Sequence, residues 1–143
     1  MDKKYRWEHI VHLSEDAEPG SRTVYIKDLG KKWCSSVVIV PISGSLSWSA
    51  EGTMVDYGCY NSIYTDITNE FEFLAAGIFQ QYGYFRLSDA GLLSNHVKVN
   101  VDTRGGGKVR VVSCGWVRSE DKPEDIPKDE RIGRRPSGGL KYL

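Results

Sequence analysis

The chain has 143 residues, 40% of them apolar and 27% charged, with 19 basic residues balanced by 19 acidic ones. One domain of ordinary soluble composition is expected. The cancelled charge excludes a global field that would draw the protein to nucleic acid or to an anionic membrane.

Met1 to Glu8 shows no apolar stretch behind its charges, so no signal peptide is expected. The apolar runs Val37–Val40 and Phe73–Phe79 are far too short to cross a bilayer. Cys34, Cys59 and Cys114 are odd in number and widely spaced. That argues against a disulfide framework and for buried free thiols in a reducing compartment, the cytosol of the producing cell.

In chain order, Tyr5–Leu13 reads either as a strand, from its odd positions, or as a helical turn lined by Trp7, Ile10 and Val11. Ser14–Gly20 is an acidic loop, Thr23–Lys27 a strand and Asp28–Lys32 a turn. Ser35–Val40 is continuously β-branched after its serines, as in a strand covered on both faces. Pro41 should end it, because proline cannot donate to a ladder. Leu46 and Trp48 mark a half-buried strand, and Met54–Tyr57 and Asn61–Thr65 are further short candidates. Phe71 and Phe73, then Tyr82–Leu87, alternate as strands do, and Ser88 or Asp89 is placed to cap a helical turn reaching Leu93.

The firmest local expectation is a hairpin over His96–Val117. Val97, Val99 and Val101 alternate with Lys98 and Asn100, and Val109 and Val111 resume the pattern with Lys108 and Arg110 opposite. The intervening Asp102–Gly107 supplies the glycines of a tight turn. Many short strands without a long amphipathic helix predict a mainly β protein, an antiparallel β-sandwich or barrel, with a jelly roll among the variants. The body should span residues 1–118, and residues 119–143 should form an extended or disordered charged arm.

That arm is bipolar. Residues 119–130 hold six acids and two lysines, while residues 131–143 hold Arg131, Arg134, Arg135 and Lys141 without an acid. Pro123, Pro127 and Pro136 prevent a continuous helix. Arg131, Arg134, Arg135, Leu140, Tyr142 and Leu143 are the expected partner-binding residues of the arm, its apolar tip docking on a neighbouring subunit. Arg104, at the tip of the glycine turn, is a further contact candidate. Arg134-Arg135-Pro-Ser-Gly-Gly139 resembles the glycine-rich C-terminal arm of trimeric dUTP-hydrolysing enzymes. The body carries neither that family's tyrosine–aspartate uracil motif nor its Arg-Ser phosphate motif, and the resemblance is set aside.

No catalytic constellation competes. His9 and His12 would offer two corners of a zinc site only on a helix, and no Cys-x-x-Cys pair accompanies them. Cys59 with Asp56 and His96 is an accidental combination, Ser43–Ser47 lacks a nucleophile elbow, and Arg104–Lys108 reads as a turn rather than a phosphate loop. Nine aromatics between Tyr57 and Phe85 suggest core plus interface tyrosines. Trp33, Trp48 or Tyr60, if exposed, would be the rings of a sugar platform.

The expected function is therefore that of a non-enzymatic subunit of a larger assembly, most concretely a decoration, cement or connector protein of a tailed-phage capsid. It would contact protein subunits, its own copies included, through the arm, with no cofactor or metal. A carbohydrate-binding β-sandwich is the alternative.

Overall fold

The structure is a computed structural model that describes residues 4–53, 63–75 and 82–119. Its strands are β1 (Tyr5–Leu13), β2 (Ser21–Ile26), β3 (Trp33–Ser43), β4 (Ser47–Thr53), β5 (Thr65–Asp66), β6 (Glu72–Leu74), β7 (Tyr84–Ser88), β8 (His96–Asp102) and β9 (Lys108–Arg118). They form two antiparallel sheets, one in the order β1-β9-β3-β7-β6 and the other in the order β2-β8-β4-β5. The mainly β sandwich expected from sequence is what the chain adopts. Among the described residues no helix is long and apolar enough to cross a membrane.

The sheets face each other through alternate residues, as the two-residue period of a strand requires. Val37, Ile39, Leu87, Val109 and Val111 point inward from the five-stranded sheet. Val24, Ile26, Ala50, Val97, Val99 and Val101 meet them from the four-stranded sheet. Trp48 closes one side of this core, its ring edge-on to Phe71 and to Phe85 at 5.1 Å each.

The hairpin expectation is overturned. Both strands exist, but β8 lies between β2 and β4 in one sheet and β9 between β1 and β3 in the other. Their valines stack face to face across the core instead of standing side by side. Alternation alone is the same in the two arrangements, because it records which face is buried and not which strand is the neighbour. Residues 103–107 therefore carry the chain across the end of the sandwich, with Gly106 at φ +94°.

Pro41 does not end its strand either. β3 continues through it to Ser43, with Pro41 opposite Val109. The β7 pairing stops at Ile39, so the missing N–H can face a side where no ladder bond is due. Nor is β3 covered equally on both faces, since Val37 and Ile39 are buried while Val38 and Val40 are half-buried on the outside.

The ambiguous first segment is a strand, β1, paired with β9 from Tyr5↔Arg118 onward. Ala90–Leu93 forms the short helix α1 with Asp89 before it in the left-handed region, φ 55°. Asp89 makes no side-chain capping bond; instead the Gly91 N–H donates to Ser35 Oγ at 2.6 Å. The candidates Met54–Tyr57 and residues 61–62, and the arm from residue 120 onward, lie outside the described residues.

Candidate interaction site

The outer face of the five-stranded sheet carries the feature that stands out. Tyr5 and Trp7 alternate along β1, and the β1–β9 register places Trp7 opposite Trp116. Trp33 opens β3 and lies opposite Trp116 on its other side. The ladder slips between Trp33 and Ser36, and Cys34 sits there at φ 53°, a left-handed conformation costly for a residue with a Cβ. That bulge brings Trp33 to the same outer face as Trp116. The four rings are each between 42% and 49% exposed. They meet edge to face, Trp7 on Trp116 with centroids 5.3 Å apart and Tyr5 on Trp33 at 6.2 Å, as aromatic quadrupoles prefer. Tyr5, Trp33 and Trp116 enclose an open cleft of about 360 Å³.

Because the rings point outward, their chain neighbours point in. Glu8 follows Trp7, Lys32 precedes Trp33 and Gly115 precedes Trp116. Lys32 is buried, its side chain 1% exposed, and its ammonium bonds the Asp28 carboxylate and lies 3.5 Å from Glu8 Oε1. A Cβ on Gly115 would stand 2.8 Å from the Lys32 Cβ, so glycine is what lets the lysine stem pass beneath β9. Asp28 Oδ1 is buried without a hydrogen-bond partner. Arg6 is 3.7 Å from Glu8 and donates to the Arg118 and Ser119 carbonyls, fastening the end of β9 to the start of β1. Beside this cluster the His12 ring bonds the buried Ser113 hydroxyl at 2.7 Å. Burial pushes the His12 pKa down, with Asp28 opposing and Lys32 reinforcing the shift.

The outer face of the four-stranded sheet has the reverse character. Thr23, Asn100, Ser49 and Glu51 form a transverse run of hydrogen bonds, with the Thr23 hydroxyl donating to Asn100 Oδ1 and the Asn100 amide donating to Ser49 and Glu51. Lys98 is 3.6 Å from Glu51 and stands over the Tyr64 ring at 4.2 Å. Exposed Tyr25 has the Lys27 ammonium over it at 5.5 Å. These pairings leave the face satisfied and wet.

The candidates read from sequence scatter over the molecule. His9 and His12 lie on a strand, so they do not form the helical pair that a zinc site would use: His9 faces out opposite Cys114 and His12 reaches Ser113. Among the described residues no group of three or more His, Cys, Asp or Glu side chains is placed to hold a metal ion. His96 sits on the outer face of β8 with Nε2 buried and unpartnered, its pKa lowered by burial and then by Lys27. Cys59 and Asp56, its companions in the accidental catalytic set, lie outside the described residues.

Burial of the thiols holds only in part. Cys34 is exposed beside Trp33, while Cys114 is half-buried with its pKa raised by burial. Cys34 surfaces because the bulge turns its backbone outward. Trp48 is no sugar-facing ring but packs against the core phenylalanines. Tyr60 lies outside the described residues, and Trp33 is the one proposed sugar ring found exposed. Arg104 projects from its turn and is gripped by Asp102, Nε to Oδ1 at 3.0 Å and Nη2 to Oδ2 at 2.7 Å. That pairing holds the Asp102 carboxyl down to about 2. Arg131, Arg134, Arg135, Leu140, Tyr142 and Leu143 lie outside the described residues.

Sequence reasoning missed the four-ring face. The period-two spacing of Tyr5 and Trp7 was a usable signal, but it marks rings on one face without saying which. The contributions of Trp33 and Trp116 depend on cross-strand register, which no local pattern encodes. Neither a protein-family model, nor a curated protein, nor a solved structure matches the chain.

Proposed function

We propose that this protein is a non-enzymatic subunit of a larger protein assembly, and that the Tyr5–Trp7–Trp33–Trp116 face is where it meets a neighbouring subunit. The observation that carries this reading is the exposure of four rings side by side on a sheet whose opposite partner is polar outside. Tryptophan and tyrosine are the side chains that dominate buried contacts between proteins. A contiguous aromatic patch on a sheet of this rigidity is costly to leave in water.

The strand order supports a specific class of assembly. We read β1-β9-β3-β7 facing β2-β8-β4-β5 as a jelly roll, with β6 added at one edge. Jelly rolls build viral capsid and lectin domains. Fold alone does not assign function; together with the aromatic face and the bipolar arm of residues 119–143 it favours a capsid decoration, cement or connector role. Native mass spectrometry of the full chain at tens of micromolar tests this. Oligomers are the expected species, and a strictly monomeric protein contradicts the proposal.

The cleft between Tyr5, Trp33 and Trp116 favours one second reading, a lectin. Its Tyr5 and Trp33 rings, however, stand at 78° to each other, whereas a sugar platform stacks on exposed ring faces. Glycan titration of the tryptophan fluorescence separates the two: quenching that saturates with a glycan supports the lectin, and none is expected.

A further inference from the structure

The Tyr5–Trp33–Trp116 cleft lies where β9 leaves the body. Arg118, the last residue of β9, pairs with Tyr5, and Trp116 is two residues upstream. The rim is cationic: Lys4 and Arg118 are exposed, and Arg118 shares the outer face with its partner Tyr5. Glu8 and Arg6 lie on the other face of β1, where Glu8 is 3.5 Å from Lys32 and 3.7 Å from Arg6. The residues that follow this exit, 120–130, carry six acids against two lysines, two prolines, and Ile126 as their one large apolar side chain.

We propose that the cleft binds the acidic segment 120–130 of a second copy, with Ile126 and Pro127 against the rings and the carboxylates over Lys4 and Arg118. The proposal rests on the assembly reading above and names the partner for that same face. Rings that stand at steep angles leave slots between them. Extended proline-containing segments fit aromatic slots well, because proline has already surrendered its backbone freedom. Acidic groups beside guanidinium and ammonium ions add an attraction that salt weakens.

Direction favours a second copy over the chain's own arm. β9 carries the chain outward past Tyr5, away from Trp116. Two copies set exit to exit about a two-fold axis place each cleft in the path of the other's chain. Ile126 lies eight positions beyond Arg118, a reach of about 26 Å when extended. Such an exchange is self-complementary and closes as a dimer contact.

Exposed Cys34, beside Trp33, makes the contact trappable. Two full-length chains, both carrying Cys59→Ser and Cys114→Ser, are mixed. One keeps Cys34, and the other carries Cys34→Ser with Ile126→Cys. Mild oxidation should give a disulfide-linked pair of the two chains, and Leu140→Cys in place of Ile126→Cys should give much less.

A second readout needs no engineered thiol: Ile126→Asp in the otherwise native chain should weaken association about ten-fold or more by sedimentation. Equal trapping at positions 126 and 140 overturns the proposal. So does a chain bearing both Cys34 and Ile126→Cys that closes on itself at high dilution, which places the arm on its own body. Oligomers that persist unchanged with Ile126→Asp and give no trapped pair overturn the cleft–arm contact and leave the assembly reading standing. A monomeric native chain overturns both.

Discussion

The two sheets of this sandwich solve the same problem in opposite ways. The four-stranded sheet puts valine, isoleucine and alanine inside and hydroxyls, amides and ion pairs outside. The β1, β9 and β3 end of the five-stranded sheet is inverted: tryptophan and tyrosine face out, while Glu8, Lys32 and the gap over Gly115 face in. Burying an ammonium group is expensive, and two carboxylates with good geometry are needed to offset it. A sequence shaped for stability alone would turn these strands over. The difference teaches that local rules are kept on the polar sheet and broken at the aromatic face, as they are at functional sites in general.

The comparison yields tests of decreasing size. Lys32→Ala should cost the most, about 3 kcal/mol by chemical denaturation, because it removes the buried cation that Asp28 and Glu8 share and leaves Glu8 with Arg6 alone. A loss under about 1 kcal/mol would mean that the ionic cluster does not hold up the aromatic face. Gly115→Ala pushes a methyl group into the Lys32 stem and should cost about 1–3 kcal/mol. An unchanged midpoint would show that the lysine moves aside freely.

Acid should act in two stages. His12 and His96 bind protons less readily when folded than at the ordinary value of 6.5. The unfolded chain therefore holds more protons just below that value, and stability is full above about pH 6.5 and declines as the pH falls beneath it. His12→Gln should remove part of that decline, and a slope unaltered by both His12→Gln and His96→Gln would contradict this origin. The second stage comes from Glu15, held down to about 2 by Arg110, and from Asp102, held down to about 2 by Arg104. Their contribution is present above the ordinary carboxylate range and is lost as the pH falls through it toward 2.

The smallest effect is expected on the polar face. Tyr25→Ser should change stability by no more than about 0.5 kcal/mol and leave association unchanged. A clear shift in association would place the contact surface on the wrong sheet.

Much of the fold was readable from residues and much of the site was not. The valine alternation at 97–101 and 109–111 marked two buried strand faces correctly. It also suggested a pairing between them that the sheets do not make, because period two says nothing about neighbours. Likewise Tyr5-Arg6-Trp7-Glu8 left a strand and a helical turn both open, and the ordinary sense of the strand pattern puts the rings inside. What reverses it lies elsewhere in the chain: Lys32 enters the core under Gly115, and the bulge at Cys34 turns Trp33 outward. Such long-range conditions have no local signature. Lys32 itself read as one more polar turn residue.

The central claim is that the aromatic face, and not the polar one, joins copies of this protein. Sedimentation equilibrium on the full chain, on Trp7→Ser with Trp116→Ser, and on Tyr25→Ser decides it. The account predicts oligomers for the native chain and for Tyr25→Ser, and folded monomers for the double tryptophan variant. A double variant that is folded and still fully associated would contradict it.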